Sequence, residues 1–328
     1  MKSLDTVWYG RNPLSLVLLP LAWLFCAVAI SRRLFYRMGW LKSYKLPVPV
    51  IVVGNIALGG TGKTPLVIWL VEFLRRNGYT PGVVSRGYGG RAESWPQQVS
   101  GDSDPRLVSD EAVLIAQRGG CPVVVGPDRV AAARALLASA PCDVIVSDDG
   151  LQHYALARDI EIGVVDGVRR HGNRRCLPAG PLREPVSRLK TVDLIVANGV
   201  AQAGEYAMQL KGDIVHHLAD AHTQALSAFN GQKIHAVAGT GHPQRFFTQL
   251  RAAGLSVIEH AYRDHHDFSP ADIDFGDDLP VIMTEKDAVK CRRFAQDRHW
   301  YLPVAAELDE HLAEQLKRLL DERAHQRH

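Results

Sequence analysis

The sequence has few cysteines and arranges none of them in pairs. Its 328 residues contain five cysteines, which lie far apart and form no C-x-x-C motif. Small secreted domains and structural zinc sites depend on paired cysteines, so the sequence argues against both classes and fits a reducing cytosol. Internal repeats and low-complexity tracts are also absent. With 46% hydrophobic and 22% charged residues, the composition is that of a globular protein with two domains or one large one.

A strong net charge is lacking too, because the chain carries only +3 in total. The charge is nevertheless uneven. Residues 1–50 hold seven lysines and arginines against Asp5 alone, which gives +6 there and −3 over the remainder. Residues 14–30 form an apolar run that only Ser15 and Pro20 interrupt. A basic end beside an apolar end is typical of membrane contact rather than of nucleic-acid binding. We therefore predict an anionic membrane surface as a partner, and no nucleic acid.

The N-terminal segment fits more than one arrangement. The apolar run at 14–30 is at the short limit for a transmembrane helix. In residues 31–42, apolar side chains such as Leu34 and Met38 fall near one helical face between arginines, which predicts a helix lying in the membrane interface. A hydrophobic helix buried against the protein core is the alternative. The sequence therefore leaves open whether residues 1–45, which we take as a membrane-associating segment, span the membrane or lie on it.

A phosphate-binding loop follows the apolar, β-branched run at residues 48–53. The loop comprises Ala57, Leu58, Gly59, Gly60, Thr61, Gly62, Lys63 and Thr64. It matches the pattern G-x-x-x-x-G-K-[ST] except at its first position, where alanine replaces glycine. Its glycines let backbone N–H groups turn inward around an anion, the lysine contacts the β- and γ-phosphates, and the threonine hydroxyl can ligate Mg²⁺. The following helix, which Pro65 opens, aims its N-terminus at the phosphates. The loop predicts ATP and Mg²⁺ as cofactors.

Short apolar runs alternate with helical patterns along the rest of the chain. After the first strand, further strands are predicted at 82–85, 122–125, 144–146, 160–165 and 194–197, with helices at about 64–77, 110–118 and 129–139. This alternation predicts an α/β fold with a P-loop NTPase-like, doubly wound, mostly parallel sheet whose ligands bind at the carboxyl ends of the strands.

A second α/β stretch follows a basic loop at about 170–190. It contains predicted strands at 233–238, 255–260 and 280–284 and helices at about 243–253 and 307–324. We therefore divide the chain into the membrane-associating segment 1–45, a P-loop core at 46–230 and a smaller C-terminal α/β part at 231–328 that closes over the active site.

Acidic residues occupy further positions suited to phosphoryl transfer. Asp148 and Asp149 directly follow a buried strand, where a carboxylate lies beside the phosphate loop and can hold Mg²⁺ directly or through water. A solvated turn is the alternative.

Asp110 begins a helix, where it either favours the helix dipole or serves as general base for an attacking hydroxyl. The Asp-His-His-Asp cluster at 264–267 is too closely spaced for an H-E-x-x-H zinc site. It is either a solvated loop or the source of a histidine brought to the phosphate loop. Residues 284–287 are predicted to form another polar loop after a strand.

Together these motifs resemble the tetraacyldisaccharide 4′-kinase family of lipid A biosynthesis, a family of P-loop kinases. The resemblance covers nearly the whole chain and includes the N-terminal apolar segment. The matching motifs are Gly-Gly-Thr-Gly-Lys-Thr-Pro (59–65), Ser-Arg-Gly-Tyr-Gly (85–89), Ser-Asp-Asp-Gly-Leu-Gln-His (147–153), Gly-Pro-Leu-Arg-Glu-Pro (180–185) and Thr-Glu-Lys-Asp-Ala-Val-Lys (284–290). The set is specific, although the phosphate loop alone is not.

The resemblance implies an ATP-dependent kinase at the cytoplasmic face of the bacterial inner membrane. It implies transfer of the γ-phosphate to the 4′-hydroxyl of a tetraacylated, 1-phosphorylated glucosamine disaccharide. The acylated disaccharide lipid is then the substrate partner, and no obligate protein partner is predicted.

The resemblance also assigns roles to individual residues. It implies Asp110 as the catalytic base, paired with a histidine of the 264–267 cluster, for which we choose His265 over His266. The remaining implied residues are Lys63 on the phosphates, Thr64 and Asp148 at the magnesium, and Arg183 near the transferred phosphate.

A membrane-bound ATPase switch of the partitioning or site-placement type is the alternative function. Such switches also carry G-G-x-G-K-T after a strand, but they usually have a lysine just before the paired glycines, where this chain has Leu58. A switch needs ATP-driven dimerisation rather than an acceptor, so passage of radiolabel from ATP to a glycolipid would separate the two. A small-molecule kinase with a purely structural apolar N-terminus is a third possibility.

Overall fold

The computed structural model describes residues 2–10 and 12–325. Its α-helices are α1 (Lys2–Tyr9), α2 (Leu14–Val17), α3 (Leu19–Arg37), α4 (Lys63–Arg76), α5 (Pro105–Val108), α6 (Asp110–Gly119), α7 (Arg129–Ser139), α8 (Pro243–Ala252), α9 (Glu285–Cys291) and α10 (Glu310–His325). Its strands are β1 (Val50–Gly54), β2 (Pro81–Ser85), β3 (Gln97–Val99), β4 (Val123–Val125), β5 (Val144–Ser147), β6 (Ile160–Asp166), β7 (Leu194–Asn198), β8 (Tyr206–Lys211), β9 (Ile214–His217), β10 (Thr223–Ala225), β11 (Lys233–Ala238), β12 (Ser256–Ala261), β13 (Val281–Thr284), β14 (His299–Leu302) and β15 (Ala305–Leu308).

The first sheet, as far as the chain is described, has nine strands in the order β15-β8-β7-β6-β1-β5-β2-β4-β3. Neighbouring strands from β8 to β4 are parallel, whereas the edge strands β15 and β3 run antiparallel to their neighbours. Helices α4, α6 and α10 pack against one face of the sheet and α7 against the other. Strand β1 is therefore buried along its whole length, which explains its unbroken apolar sequence. The predicted α/β fold with a mostly parallel sheet is confirmed.

The second sheet is smaller, with six strands in the described residues in the order β10-β9-β14-β13-β11-β12. Strands β12, β11, β13 and β14 are parallel, and β9 runs antiparallel to both β14 and β10. Helix α8 buries Phe246, Phe247 and Leu250 against one face, and α9 buries Ala288 and Cys291 against the other. This sheet therefore has a hydrophobic core of its own.

The chain enters the second sheet before residue 230 and leaves it before the C-terminus. Strands β9 and β10 already pair within the second sheet, while β15 and α10 return to the first. Strands β8, β9 and β10 were not predicted, because they are short and several of their side chains are exposed. The division of the chain at residues 45 and 230 stays a prediction.

The loop predicted at 284–287 and the start predicted for the last helix were both wrong. The polar segment predicted as a loop at 284–287 begins α9, because the Thr284 hydroxyl accepts the Asp287 N–H at 3.3 Å and caps the helix. The predicted last helix at 307–324 starts only at Glu310, because the residues before it form β15.

The apolar N-terminal segment forms the short helix α2 and the long helix α3, and α3 continues into the residues predicted as a separate interfacial helix. Helix α3 holds Pro20 in its first turn, where proline is tolerated, and Gly39 terminates it with a φ of 75°. The limits predicted for the helix at 31–42 are therefore wrong, since its first half continues α3 and its second half is a turn, while its place in the membrane interface stays a prediction. Among the described residues, α3 alone is long and apolar enough to cross a bilayer.

Most of α3 lies outside the protein core. Only Ala22 is buried, while Leu21, Trp23, Leu24 and Val28 are each more than half exposed. The alternative of a hydrophobic helix buried in the core is therefore not what the structure shows. A continuous exposed apolar surface of this kind is typical of membrane or lipid contact.

Candidate active site

The phosphate loop lies between the carboxyl end of β1 and the N-terminus of α4, as the sequence predicted. Gly59 and Gly62 have φ values of 109° and 93°, which side chains with a Cβ adopt rarely. A Cβ at position 62 would also collide with the amide of Asn198, which donates to the Thr61 carbonyl at 3.1 Å. Helix α4 begins directly at Lys63. The loop is thus folded around its glycines, with backbone N–H groups free to face an anion.

The alanine at the first loop position is explained by its packing. Ala57 is buried beside Leu182 and forms an antiparallel bridge with it. The neighbouring Leu58 N–H donates to the Pro181 carbonyl at 2.8 Å, and the Arg183 N–H donates to the Ile56 carbonyl at 2.7 Å. This pairing fixes the 180–185 segment along the phosphate loop and brings the arginine to it.

Asp149 joins the two cations of the loop. Its carboxylate lies 3.4 Å from the Lys63 ammonium and accepts from the Arg183 guanidinium at 3.0 and 3.1 Å. Burial opposes ionisation, but these two cations outweigh it and hold the pKa of the Asp149 carboxyl well below its usual range. In this arrangement Asp149 neutralises the two cations, and its predicted metal role stays a prediction.

Asp148 is in the opposite situation. It is fully buried, and one carboxylate oxygen accepts from the Ser85 hydroxyl at 3.1 Å while the other has no partner in the described residues. Burial, together with the negative charges of Glu111 and Asp149, raises the pKa of the Asp148 carboxyl to about 7. A buried carboxylate oxygen without a donor, beside a phosphate loop, fits a divalent cation.

Asp110 and His265 contact each other across the cleft. Asp110 is the first residue of α6 and only 3% exposed, and its carboxylate accepts from His265 Nδ1 at 3.1 Å. His265 adopts a φ of 57° in the loop after β12. His266 instead faces Asp272 at 3.4 Å and stacks on Tyr262. The geometry therefore pairs Asp110 with His265, while the chemical role of the pair stays a prediction.

Two lysines of α9 help to keep the Asp110 carboxyl ionised. The Lys290 ammonium lies 3.3 Å from the second Asp110 oxygen, and the Lys286 ammonium lies 2.9 Å from Glu111 and 3.0 Å from Asp264. Burial raises the pKa of the Asp110 carboxyl, but Lys286, His265 and Lys290 outweigh it and lower the pKa below its usual value.

The pKa of His265 shifts in the opposite direction from that of Asp110. Burial lowers the pKa of His265, but the hydrogen bond from its ring to Asp110 more than compensates and raises the pKa above 6.5. Sequence reasoning missed both α9 lysines. Their spacing of four residues, directly after a strand, would have placed them on one helical face had 284–290 been recognised as a helix.

The two sheets meet around one cleft of about 1090 Å³. Gly241, after β11, approaches the phosphate loop so closely that a Cβ there would collide with the Gly60 nitrogen. Arg245 on α8 pairs with Asp166 at the end of β6 at 3.1 Å. The carboxyl ends of strands from both sheets therefore line the cleft, as expected for parallel α/β sheets.

Helix α3 forms another wall of the same cleft. Phe25, Val28, Ala29 and Arg32 line it together with the phosphate loop and His265. The Arg32 guanidinium donates to the Gln152 carbonyl at 3.0 Å, which ties the helix to the core beside the cleft. A phosphate site, a carboxylate–histidine pair and an exposed apolar helix thus face one cavity.

Comparisons with known proteins agree with this arrangement. The family model described as tetraacyldisaccharide-1-P 4′-kinase matches residues 14–321. The tetraacyldisaccharide 4′-kinase of Nitrosococcus oceani is 56% identical over 97% of this chain and 94% of its own length. That of Methylobacillus flagellatus is 53% identical over 95% and 94%.

A solved structure has the same fold. The crystal structure of LpxK from Aquifex aeolicus in complex with ATP superimposes with a TM-score of 0.77 at 27% identity, covering 94% of this chain and 99% of that one. The family matches nearly the whole length of the chain, and the phosphate loop and cleft lie within the matched region. The chain therefore belongs to the tetraacyldisaccharide-1-P 4′-kinase family.

Proposed function

We propose that this chain transfers the γ-phosphate of ATP to the 4′-hydroxyl of tetraacyldisaccharide 1-phosphate, a step of lipid A biosynthesis. One observation carries the proposal. The phosphate loop, the Asp110–His265 pair and the exposed apolar helix α3 face the same cleft of about 1090 Å³. A nucleotide, a sugar hydroxyl and an acyl chain each find matching chemistry there.

The phosphate loop supplies the nucleotide site. The backbone N–H groups of residues 59–64 and the N-terminus of α4 face the β- and γ-phosphates. Lys63 and Arg183 lie next to this loop, bridged by Asp149. Both cations can move from that carboxylate to the transferring phosphoryl group, where negative charge must be compensated in the transition state.

Mg²⁺ fits the residues at this end of the cleft. Thr64 and Asp148 would hold it, because the Asp148 oxygen without a donor can receive a cation and the threonine side chain follows the loop lysine. Glu111 adds a nearby carboxylate that sequence reasoning had not assigned. When bound, the ion neutralises charge on the β- and γ-phosphates. Asp149 joins these ligands only if Lys63 and Arg183 leave it.

The Asp110–His265 pair takes the proton of the acceptor hydroxyl. His265 lines the cleft, whereas Asp110 is buried behind it. The proton therefore enters the pair at His265, rather than at Asp110 as the family resemblance implies, and the Asp110 carboxylate stabilises the imidazolium that results. The proposal makes the two residues one unit, with neutral His265 as the form that starts the reaction.

The surface of the protein is consistent with a lipid acceptor at a membrane. Helix α3 exposes apolar side chains along its length and ends in Arg32, Arg33 and Arg37. Such a helix lies with its apolar side in the acyl region and its basic end among anionic headgroups. Because ATP is a cytosolic substrate, we place the chain at the cytoplasmic face of the inner membrane.

A transfer assay tests the proposal directly. The purified full chain is incubated with γ-labelled ATP and mixed micelles that contain tetraacyldisaccharide 1-phosphate, and the lipid fraction is counted. We expect label in the lipid, and its loss when the 4′-hydroxyl is blocked. Release of label only as inorganic phosphate would contradict the kinase and favour the ATPase switch.

A further inference from the structure

A second cavity, of about 510 Å³, lies beside the C-terminal end of α3. It shares Tyr154 with the active-site cleft and contains none of the phosphate-loop residues. Its volume is within the range of ordinary small-ligand sites. Six basic side chains line it: Arg33, Arg37, Lys45, Arg158, Arg188 and Arg323. Three carboxylates oppose them, so the cavity carries an excess of positive charge.

These carboxylates are already engaged by other donors. Glu161 accepts from Arg158 at 2.9 Å and from Arg188 at 2.5 Å. Asp193 accepts the Glu161 backbone N–H at 2.7 Å and lies 3.5 Å from Arg323. Three of the six cations are thus matched by protein carboxylates.

The other three cations have no such match. Arg33 donates to the Thr191 hydroxyl at 2.7 Å. Neither Arg37 nor Lys45 forms an ion pair with any residue that the structure describes. The third carboxylate, Asp159, accepts a backbone N–H at 2.8 Å. We call the site formed by Arg33, Arg37 and Lys45 the basic pocket. Among the described residues, these three cations line one cavity without an ion pair to a carboxylate, which favours an anionic ligand.

The position of the basic pocket indicates where the anion comes from. Arg33 and Arg37 are one turn apart at the end of α3, and the turns before them expose Leu24 and Val28 by 63% and 60%. A helix that buries those side chains in a membrane places its basic end at the depth of the lipid headgroups.

We propose that the basic pocket binds the phosphate of an anionic glycerophospholipid headgroup, from a lipid other than the disaccharide substrate. The inference rests on the membrane association proposed above and deepens it by giving that association a discrete site. If binding is diffuse attraction to an anionic surface, its strength depends on the total charge of the protein. If binding occurs in a pocket, its strength depends on whether the removed cation lines that pocket.

The site also has a consequence for the active-site cleft. Arg33 faces the basic pocket, while its neighbours Val28, Ala29 and Arg32 on the same helix line the cleft. A headgroup held in the basic pocket therefore fixes α3 against the core in the position that completes the cleft wall. Occupancy lowers the KM for the lipid acceptor without changing the chemical step.

Vesicle binding of matched charge variants tests the inference. Arg37→Gln, Lys45→Gln and the control Lys42→Gln each remove one exposed charge from the same short segment. Partitioning of each full-length variant is measured at 0.15 M salt into phosphatidylcholine vesicles with and without phosphatidylglycerol, in the absence of ATP and disaccharide. We expect about tenfold weaker binding to the anionic vesicles for Arg37→Gln and Lys45→Gln, and less than about threefold for Lys42→Gln. Equal losses for all three variants would show diffuse attraction and overturn the basic pocket.

A second arm separates a lipid headgroup from a soluble phosphate. Inorganic phosphate and glycerol 3-phosphate are titrated by calorimetry against the parent chain and Arg37→Gln. A lipid ligand is supported if neither compound binds at millimolar concentration while the variants still differ in their binding to anionic vesicles. Binding of inorganic phosphate that Arg37→Gln abolishes, without any vesicle difference, would assign the pocket to a soluble anion and contradict the proposal.

The outcome is independent of the kinase proposal. Label transfer in micelles that lack phosphatidylglycerol reports the kinase alone, and vesicle binding without nucleotide reports the basic pocket alone. Normal transfer with equal vesicle binding would overturn only the pocket. If label transfer fails while Arg37→Gln selectively loses binding to anionic vesicles, only the kinase proposal is overturned.

Discussion

The cleft contains two carboxylate clusters, and they differ in how their charges are balanced. At the phosphate loop, Asp148 is buried with one oxygen unpartnered, and its pKa is raised to about 7. At the start of α6, Asp110 is equally buried but lies beside His265 and Lys290, and its pKa is lowered. Both carboxylates are buried, so the difference comes from the neighbouring charges, which are mainly negative around Asp148 and positive around Asp110.

This difference assigns the two clusters to different tasks. A buried carboxylate with one oxygen that accepts no hydrogen bond is suited to receive a cation, which favours Asp148 for Mg²⁺. A carboxylate that remains ionised is suited to stabilise a protonated partner, which favours Asp110 behind His265. We therefore propose metal binding for the carboxylate of one cluster and proton transfer for that of the other.

The largest expected effect is at the Asp110–His265 pair. Asp110→Ala and His265→Ala should each lower turnover by about 10²- to 10⁴-fold, because general base catalysis contributes that much. The double variant should lose much less than the two single losses combined, because residues that act as a unit are non-additive. A double-mutant cycle on label transfer measures this, with ATP affinity determined separately.

Additive losses would place the two residues in separate roles. A strong loss of ATP affinity in Asp110→Ala would move Asp110 into the nucleotide or metal site. His266→Ala is the matched control, because His266 faces Asp272 rather than Asp110, and it should retain near-parent turnover.

The next effect belongs to the phosphate-loop cluster. Lys63→Ala should lower turnover by about 10²-fold at saturating ATP, because the lysine compensates charge that grows in the transition state. Lys317→Ala removes an exposed lysine of α10 and should leave turnover unchanged. Steady-state label transfer tests both, and near-normal turnover in Lys63→Ala would exclude this loop from catalysis.

The two clusters should also differ in how they make the free energy of unfolding depend on pH. The folded pKa of Asp148 is raised above its ordinary 3.8 to about 7, so the folded state binds its proton more tightly than the unfolded state. The free energy of unfolding therefore falls as pH rises from about 4 to 7. Without Mg²⁺ at pH 8, Asp148→Asn should stabilise the fold by about 2 kcal/mol. Urea denaturation measures this, and a destabilised Asp148→Asn under those conditions would contradict the account.

A smaller effect is expected in the pH dependence of the reaction. His265 must be neutral to take the proton, and its pKa is raised above 6.5 by Asp110. Activity should therefore increase several-fold as pH rises from about 6.5 to 8. His265→Gln should remove this increase from the pH profile of kcat/KM, and its persistence in that variant would assign it to another group.

Local motifs made much of the fold and family predictable. The phosphate loop is a contiguous strand–loop–helix unit, so its residues alone indicated its structure. The mostly parallel sheet followed from the alternation of apolar runs and helices, and both the fold class and the family are confirmed. The pairing of His265 rather than His266 with Asp110 could only be chosen, since both histidines are adjacent in sequence.

What the sequence did not reveal depends on contacts between distant segments. Lys286 contacts Glu111, which is 175 residues away, because α9 packs against α6. Arg183 reaches the phosphate loop only because Leu182 pairs with Ala57. Periodicity reports which face of an element is buried, but not which other element covers it.

A Mg²⁺ titration of Asp148→Asn and Asp110→Asn tests the contrast between the two clusters most directly. Label transfer is measured over a range of Mg²⁺ concentrations at saturating ATP and lipid. Asp148→Asn should raise the Mg²⁺ concentration for half-maximal turnover about tenfold or more. Asp110→Asn should lower turnover at every concentration without changing that midpoint. Equal shifts of the midpoint in both variants, or a shift in Asp110→Asn alone, would contradict the assignment of metal binding to one cluster and proton transfer to the other.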